Sequence, residues 1–232
     1  MVGEEDLNPE RFRRIQEVLS RRQPDLTVLM EKVNKPHNFA AILRNCDSVG
    51  VLEAHVVMPE KGISLSNHTS AGTTKWVPVH SHPDVVPAVE QLRKAGFGIL
   101  AAHPSAEARD FRDMDFTAPV AIMVGAELDG ISEVGLAAAD ELVAIPMEGM
   151  VRSLNVSVAT ALLLFEAQRQ RRAAGYYRTR RLPASEFQRR LFEWCHPHLA
   201  EVLRKRGLPY PPLSPQGDPI MEPGFLQDEG LR

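Results

Sequence analysis

The sequence predicts an α/β fold in which helices flank a mostly parallel sheet, with a helical extension at each terminus. Predicted strands and helices alternate along the centre of the chain, as in folds built around parallel strands. Several strand candidates, such as residues 97–102 and 119–124, are continuous apolar runs, which is typical of strands buried on both faces. The length of 232 residues, 44% of them hydrophobic, suits one domain with a core and short extensions.

The N-terminal half begins with a helix start. Asn8 is a good cap, Pro9 suits the first helical position and Glu10 places an acid in the first turn, so we expect a helix to about residue 22. A second helix is predicted with Asn38 as its cap and Gly50 as its C-terminal stop. The remaining predicted elements are strands at residues 26–33, 55–58 and 76–79, a loop of small residues at 61–74, and a helix at 83–94.

The C-terminal half continues the alternation. Strands are predicted at residues 97–102, 119–124 and 142–146, helices at 132–139, 155–174 and 185–206, and an irregular tail from Gly207. Ligands of open α/β sheets bind beyond the carboxyl ends of the strands. The loops after Ala102, Val124 and Pro146 are therefore the candidate sites. We expect an N-terminal basic helical extension over residues 1–24, a central domain over 25–175, and a C-terminal basic helix with its tail over 176–232.

Charge is unevenly distributed along a chain whose net charge is −3. The central part is acidic, whereas Lys and Arg are in excess in both terminal segments. Such asymmetry is expected of a protein that holds a polyanion with its extensions, although solvated faces of the terminal helices would look the same.

The composition also limits location and class. The longest apolar stretch, residues 159–165, is far shorter than the about 18 residues that a membrane span needs, so no membrane partner is expected. The acidic start has no apolar stretch behind it, unlike a secretory signal. Cys46 and Cys195 lie far apart, without metal or redox spacing, which fits a reduced cytosol. A cytoplasmic protein is the expectation.

The loop after Val124 reads Gly-Ala-Glu-Leu-Asp-Gly-Ile-Ser, from Gly125 to Ser132. Its glycine spacing matches a phosphate-binding P-loop, but Ile131 occupies the position where that motif needs Lys. No GxGxxG follows a predicted strand, which argues against a dinucleotide-dependent dehydrogenase. The remaining interpretations are an ordinary turn, or a turn whose glycines let the backbone approach a ligand closely.

Two further segments carry candidate polar residues. Ser153, Asn155 and Ser157 place more hydrogen-bonding groups at a helix start than one cap requires, and the helix that follows is apolar nearly all round. Those groups need partners within the protein or on a ligand, unless they only form an elaborate cap. Asn38 and Arg44 lie on one predicted helix, where a lone Arg is more often a surface residue.

Taken together, these segments resemble the three motifs of the SPOUT superfamily of RNA methyltransferases. Within it the chain is similar to the tRNA (guanosine-18) 2′-O-methyltransferases, and the likeness covers most of the chain. Three ordered motifs at matching separations are a specific signal. They are Lys35-Pro-His-Asn38 through Arg44, Gly125 through Ser132, and Ile145-Pro-Met147 with Ser153-Leu-Asn-Val-Ser-Val-Ala159.

The resemblance implies a C-terminal trefoil knot, a rare exception to the rule against knots. It also implies a homodimer with each site near the interface, and S-adenosylmethionine bound without a metal. Relatives can carry Thr at the position of Ala102. A backbone contact to the cofactor would be kept with Ala at this position, whereas a contact from the Thr hydroxyl would be lost. The cofactor-binding residues carried over are Ala102, Gly125, Glu127, Ile145, Met147 and Leu154, with Glu127 expected to brace loops or the dimer rather than handle protons.

By the same resemblance, Arg44 is the catalytic residue, and Asn38, Ser153 and Asn155 position it and the nucleotide. Arg stays protonated in almost any environment, so acting as a general base is demanding. Arg44 could instead clamp the adjacent phosphate and ease formation of the 2′-alkoxide. Both roles stay open on the sequence.

The implied reaction is methyl transfer to a ribose 2′-hydroxyl of tRNA, at guanosine 18 of the D-loop. A ribosomal RNA 2′-O-methyltransferase and a non-catalytic RNA-binding protein of the same fold are the alternatives. Relatives acting on ribosomal RNA often carry a sizeable N-terminal RNA-binding domain, whereas only about one strand and one helix precede Asn38 here. Phosphate contacts from the terminal arginines would make tRNA affinity fall steeply with salt. These arginines are Arg11, Arg13, Arg14, Arg21, Arg22, Arg169, Arg171, Arg172 and Arg178.

Overall fold

The computed structural model describes residues 7–58 and 75–221, so the predicted loop at 61–74 lies outside the described residues. The strands are β1 (Leu26–Glu31), β2 (Ala54–Val57), β3 (Val79–His82), β4 (Gly98–Ala102), β5 (Arg109–Asp110), β6 (Val120–Val124) and β7 (Glu141–Ala144). The helices are α1 (Pro9–Ser20), α2 (Pro36–Val49), α3 (Val85–Lys94), α4 (Glu133–Ala137), α5 (Val156–Ala173), α6 (Ala184–Cys195) and α7 (Pro197–Lys205).

The chain divides into two compact units. Arg22–Arg181 forms one, which we call the sheet unit. Met1–Arg21 and Leu182–Arg232 together form the other, which we call the terminal unit. The two extensions that the sequence suggests as separate segments therefore belong to the same unit.

The sheet unit contains one seven-stranded sheet in the order β3-β2-β1-β6-β4-β7-β5, and every strand pair is parallel. The predicted α/β fold with a mostly parallel sheet is confirmed. The two central strands, β1 and β6, are buried along their whole length. The continuous apolar sequence of β6 is explained by this position, since a strand covered on both faces has no solvent side. In β1 the buried Thr27 donates to the Glu53 backbone oxygen at 2.8 Å, and the buried Glu31 accepts from the Ser132 amide at 2.9 Å. The knot implied by the resemblance stays a prediction.

Helices cover both faces of this sheet. On one face, α2 and α5 pack together against apolar side chains such as Val28 and Ile122. On the other, α3 and α4 cover a second apolar layer that includes Leu29 and Met123. Successive residues of β1 and β6 thus serve opposite layers, as the alternation of side chains along a strand requires.

Helix ends follow the predicted signals at two of three positions. The Asn8 side chain accepts a hydrogen bond from the Arg11 amide at 2.8 Å, and Gly50 ends α2 with φ of 85°, as expected. The expected cap at Asn38 is wrong. The helix α2 begins at Pro36, whose fixed φ suits a first helical position, so Asn38 lies inside the first turn.

Two predicted elements differ from the structure around prolines. The strand expected at residues 76–79 is shifted to β3, which begins directly after Pro78 and is polar and partly exposed at the sheet edge. The helix expected at 185–206 is two helices. Pro197 disfavours helical backbone at the residue before it, and that residue, His196, has φ of −130° and ψ of 63°. The short edge strand β5 carries no apolar run that would predict it.

The terminal unit is helical. The helices α1 and α6 contact each other, and α6 contacts α7. Residues 208–221 contain no helix, as expected, but Tyr210 stacks on Phe192 with ring centroids 4.7 Å apart. None of the helices within residues 7–58 and 75–221 is long and apolar enough to cross a membrane.

A buried guanidinium anchors the C-terminal end of α5 in the sheet unit. Arg171 is completely buried, and its side chain donates to Asp25 Oδ1 at 2.5 Å. It also donates to the backbone oxygens of Phe116 at 2.8 Å, Asp25 at 3.0 Å and Ala118 at 3.0 Å. Arg171 therefore ties the segments that precede β1 and β6 to the end of α5.

Arg22 is the second buried arginine. It is also fully buried, and it donates to Asp47 Oδ1 at 2.5 Å and to the Val51 backbone oxygen at 2.9 Å. The prediction that Arg22 and Arg171 contact RNA phosphates is wrong for these two residues, because groups buried and bonded within the protein present no surface to a phosphate. Both stabilise the fold instead.

We expect Arg171→Met to lower the free energy of unfolding by about 2–4 kcal/mol, because it removes a buried charged donor from the Asp25 carboxylate, which keeps its bond from Arg181, and from the backbone oxygens of Phe116 and Ala118. Urea unfolding followed by circular dichroism measures the change. The control is Arg172→Met at the neighbouring exposed position, where a shift within about 0.5 kcal/mol is expected. Equal effects at the two positions would contradict the anchoring role.

Three histidines meet on the β2–β3 edge of the sheet. His55 Nδ1 lies 2.9 Å from His82 Nε2, and the His80 ring stacks on His55 at a centroid distance of 5.1 Å. His80 in turn pairs with Glu53 at 2.8 Å. Burial, together with the neighbouring His80 and His82, lowers the pKa of His55 to about 4. The neutral form of His55 is thus the one that the fold accommodates.

This cluster makes stability depend on pH in a stated direction. The pKa of His55 is lower in the folded chain than in the unfolded chain, so the unfolded state binds more protons as pH falls from about 6.5 towards 4. We expect proton uptake by His55 in the unfolded state to lower the free energy of unfolding by about 1–2 kcal/mol when the pH falls from 7 to 5. His55→Phe should flatten this dependence in urea unfolding at the two pH values, whereas His198→Phe at an exposed position should leave it unchanged.

Candidate active site

A cavity of about 330 Å³ lies at the carboxyl edge of the sheet. It is lined by residues of the loops after β4, β6 and β7 and of the first turns of α5. The strands β6, β4 and β7 are consecutive neighbours in the sheet, so their following loops emerge side by side. The three loops that the sequence selects as candidate sites therefore surround a single cavity.

The six residues predicted to bind the cofactor all line this cavity. Its floor is apolar and buried, formed by Val124, Val143 and Leu163, while Leu128 at its mouth is 90% exposed. Neither His103 nor Pro104, which follow β4 and also line the cavity, is selected by the sequence pattern. The predicted residues are Ala102, Gly125, Glu127, Ile145, Met147 and Leu154.

The loop after β6 closes on itself through its backbone. Ala126 and Gly130 exchange two backbone hydrogen bonds, of 3.1 and 2.9 Å, and Gly130 has φ of 66°. A Cβ atom added to Gly125 would lie 2.1 Å from the backbone carbon of Gly130. Only glycine fits at position 125, because the turn packs its own backbone closely there; the approach of a ligand to this backbone stays a prediction.

A chain of polar side chains connects this loop to α2 and α5. Asn155 caps α5 by accepting from the Ser157 amide at 2.9 Å, and its Nδ2 donates to Asn38 Oδ1 at 3.1 Å. Asn38, which is 2% exposed, donates to Glu127 Oε2 at 3.4 Å, and Lys35 donates to the same oxygen. The structure thus brings Asn38, Glu127 and Asn155 together, and it adds Lys35 to the set.

Glu127 is an ionised brace in this network. The hydrogen bond from Lys35, and more weakly that from Asn38, holds the pKa of Glu127 below its ordinary value. A carboxylate with a lowered pKa is a poor proton acceptor near neutral pH. Its geometry agrees with the expectation that Glu127 connects loops rather than transfers protons.

The other two residues predicted to act in catalysis lie apart from this network. Ser153 lines the cavity and is exposed. Arg44 is exposed on α2 and is not among the residues that line the cavity of its own chain. Within the described part of the chain, its guanidinium makes no hydrogen bond or ion pair.

The surface arginines predicted to bind RNA divide between the two units. Arg11, Arg13, Arg14 and Arg21 belong to α1 and its C-terminal cap in the terminal unit, where Arg11 is partly exposed and the others are exposed. Arg169, Arg172 and Arg178 are exposed on the sheet unit, and Arg169 pairs with Glu166 at 2.7 Å.

Comparisons with known proteins identify the family. Residues 25–165 match the family model described as the SpoU rRNA Methylase family, and residues 169–221 match that of the SpoU rRNA methylase C-terminal region. The tRNA (guanosine(18)-2′-O)-methyltransferase of Escherichia coli K12 is 50% identical over 214 residues, which cover 91% of this chain and 93% of that protein.

Solved structures share the fold. The Aquifex aeolicus TrmH/SpoU tRNA modifying enzyme has a TM-score of 0.76 and 40% identity, covering 81% of this chain and 96% of that one. The SpoU methyltransferase AviRb from Streptomyces viridochromogenes, in complex with AdoMet, has a TM-score of 0.58 and 28% identity, covering 65% and 60%. With three strand-end loops around one cavity and both family regions matched in order, the chain belongs to the SpoU methylase family.

Proposed function

We propose that this chain transfers a methyl group from S-adenosylmethionine to the ribose 2′-hydroxyl of guanosine 18 in tRNA. The observation that carries the proposal is the cavity at the carboxyl edge of the sheet, where the glycine loop, the capped start of α5 and the family's motif residues meet. The 50% identity to a tRNA (guanosine(18)-2′-O)-methyltransferase over 93% of that protein supports the choice of substrate.

The cavity fits S-adenosylmethionine in size and chemistry. Its volume of about 330 Å³ falls within the range of small-molecule sites, and the apolar floor suits an adenine ring or a thioether chain. Gly125 and Gly130 both line the cavity and carry no side chain, so the backbone at these two positions is open to a ligand. When bound, this cofactor supplies an electrophilic methyl group on a sulfonium.

The polar network would position the protein groups that act in the reaction. The hydrogen bonds Glu127–Asn38 and Asn38–Asn155 hold the loop after β6, α2 and the start of α5 in register. Ser153 then faces the cavity two residues before the cap of α5. Holding two reactants aligned at about 3 Å supplies a large part of a barrier reduction, and these bonds preorganise the groups that would do so.

Arg44 is assigned the role of phosphate clamp. A guanidinium stays protonated near neutral pH, so it stabilises negative charge far more readily than it removes a proton. Its planar fork matches a phosphate bidentately, and a clamped phosphate beside the ribose would ease the loss of the hydroxyl proton.

A second copy of the chain completes the site in this proposal. Val158, Leu162 and Phe165 form an apolar stripe on α5, exposed by 48%, 39% and 49%. Asn45, the residue after Arg44, donates to the Ser157 backbone oxygen at 2.9 Å, so this part of α2 lies beside the start of α5. A symmetric dimer through the stripe would bury it and carry Arg44 of one copy towards the cavity of the other.

RNA binding is assigned to the exposed arginines of both units. A cation on a helix surface contacts phosphates without reading sequence, so these residues supply affinity rather than choice of nucleotide. The residues are Arg11, Arg13, Arg14 and Arg21 of the terminal unit, with Arg169, Arg172 and Arg178 of the sheet unit.

Incubating the protein with labelled S-adenosylmethionine and unmodified tRNA tests the function. We expect one 2′-O-methyl group per tRNA, located at guanosine 18 by nuclease mapping, and no transfer to a tRNA with 2′-O-methylguanosine already at that position. Methylation of ribosomal RNA fragments in preference to tRNA would favour the alternative substrate. Binding of tRNA without transfer would favour a non-catalytic protein of this fold.

Arg44→Ala tests the clamp. We expect kcat to fall on the order of a hundred- to thousand-fold, because the charged clamp on the phosphate beside the reacting hydroxyl is lost. The Kd for S-adenosylmethionine from calorimetry should stay within about twofold, since Arg44 lies outside the cavity of its own chain. Lys94→Ala, an exposed cation on α3, is the control for general charge effects. Substantial residual turnover in Arg44→Ala would remove Arg44 from the mechanism.

Leu162→Glu tests the dimer. A charge in the apolar stripe should convert a species of twice the chain mass into one of single mass in sedimentation velocity, and transfer should fall in parallel. Val86→Glu places the same charge on the helix layer of the opposite face of the sheet, at a residue 40% exposed. This control should leave the sedimenting mass and the rate of transfer unchanged. A wild-type chain that sediments at single mass while methylating tRNA would overturn this assembly.

A further inference from the structure

Arg152 stands out among the residues that line the cavity. Among the described residues that line the cavity it is the one Lys or Arg, it is exposed, and it directly precedes Ser153 in the loop between β7 and α5. Across residues 7–58 and 75–221, the Arg152 side chain has neither a hydrogen-bonding nor an ion-pair partner. A free guanidinium at the edge of a cavity is a ready donor pair for an anion.

The surroundings of Arg152 otherwise repel anions. The other fully charged residues in the lining are Glu127 and Asp129, both carboxylates. Glu127 is engaged by Lys35 and Asn38, whereas the charge of Asp129 is exposed at the mouth. An RNA backbone that brings a ribose to this cavity must pass these acids, and Arg152 is the lining cation that can compensate for them.

The position of Arg152 favours a ligand that arrives from outside over one held on the floor. The two preceding residues, Met150 and Val151, are 100% and 64% exposed, so the segment stands at the surface. The floor, by contrast, is formed by buried apolar residues such as Val143 and Leu163. A phosphate of the bound RNA therefore suits Arg152 better than the carboxylate of a cofactor lodged in the cavity.

We propose that Arg152 is a positioning residue that holds an RNA phosphate next to the target ribose at the mouth of the cavity. This inference rests on the proposed function, because the phosphate belongs to the RNA substrate. Arg152 acts on the substrate side of the site, on a loop, whereas Arg44 lies on α2. The site would then hold the RNA backbone from two elements, α2 and the loop before α5.

The test compares Arg152→Gln, Arg152→Lys and the control Lys94→Gln, which removes one exposed charge on α3 away from the cavity. The measurements are KM for an unmodified tRNA transcript, Kd for S-adenosylmethionine by calorimetry, and the slope of log Kd for tRNA against log salt concentration. Arg152→Gln should raise the tRNA KM about tenfold, as for the loss of one charge-assisted hydrogen-bond pair. The salt slope should decrease by about one, as for one lost phosphate contact.

The companion measurements separate the outcomes. Arg152→Lys should keep the salt slope and recover part of the KM, because it retains the charge without the fork. The Kd for S-adenosylmethionine should stay within about twofold in all three variants. A raised cofactor Kd with an unchanged tRNA KM would overturn the proposal in favour of a cofactor carboxylate contact. Unchanged values for both ligands would leave Arg152 a solvated residue, and an inactive wild-type protein would instead refute the proposed function.

Discussion

The helix α5 is fixed at both ends by polar bonds, and the candidate site depends on this constraint. At its C-terminal end, the buried Arg171 bonds to Asp25 and to backbone oxygens ahead of β1 and β6. At its N-terminal end, Asn155 caps the helix and bonds to Asn38 of α2. A long apolar helix could slide along a sheet with little change in buried area, whereas these directional bonds set its register. The cap of α5 is thereby held beside the glycine loop.

The features of the fold that the sequence could predict are those governed by local chemistry. Asn8 and Gly50 act where a cap and a left-handed residue are expected, and the continuous apolar run of β6 correctly indicates a buried strand. The convergence of the three loops also follows, because the sheet is parallel and its carboxyl ends share one edge. The residues around the cavity were predictable mainly through the family motifs, since spacing alone left the loop from Gly125 as an ordinary turn.

Burial of charged side chains was not predictable from the sequence. Arg21 and Arg22 are adjacent and identical in type, yet the first is exposed and the second is fully buried against Asp47 and Val51. Arg171 and Arg172 differ in the same way, with Arg171 fully buried and Arg172 exposed. The partners lie in distant segments, so no local pattern marks them. The break at His196 was instead available from Pro197, whose effect on the preceding residue is local.

The turn from Gly125 to Gly130 is held by main-chain bonds between Ala126 and Gly130. Between these two residues, the Glu127 side chain accepts hydrogen bonds from Lys35 and Asn38, whereas Leu128 is 90% exposed. Substitutions at positions 128 and 129 can consequently change the surface that an incoming RNA meets without disturbing the turn itself. The residues that set the path of this turn are thus different from the residues that an approaching molecule would meet first.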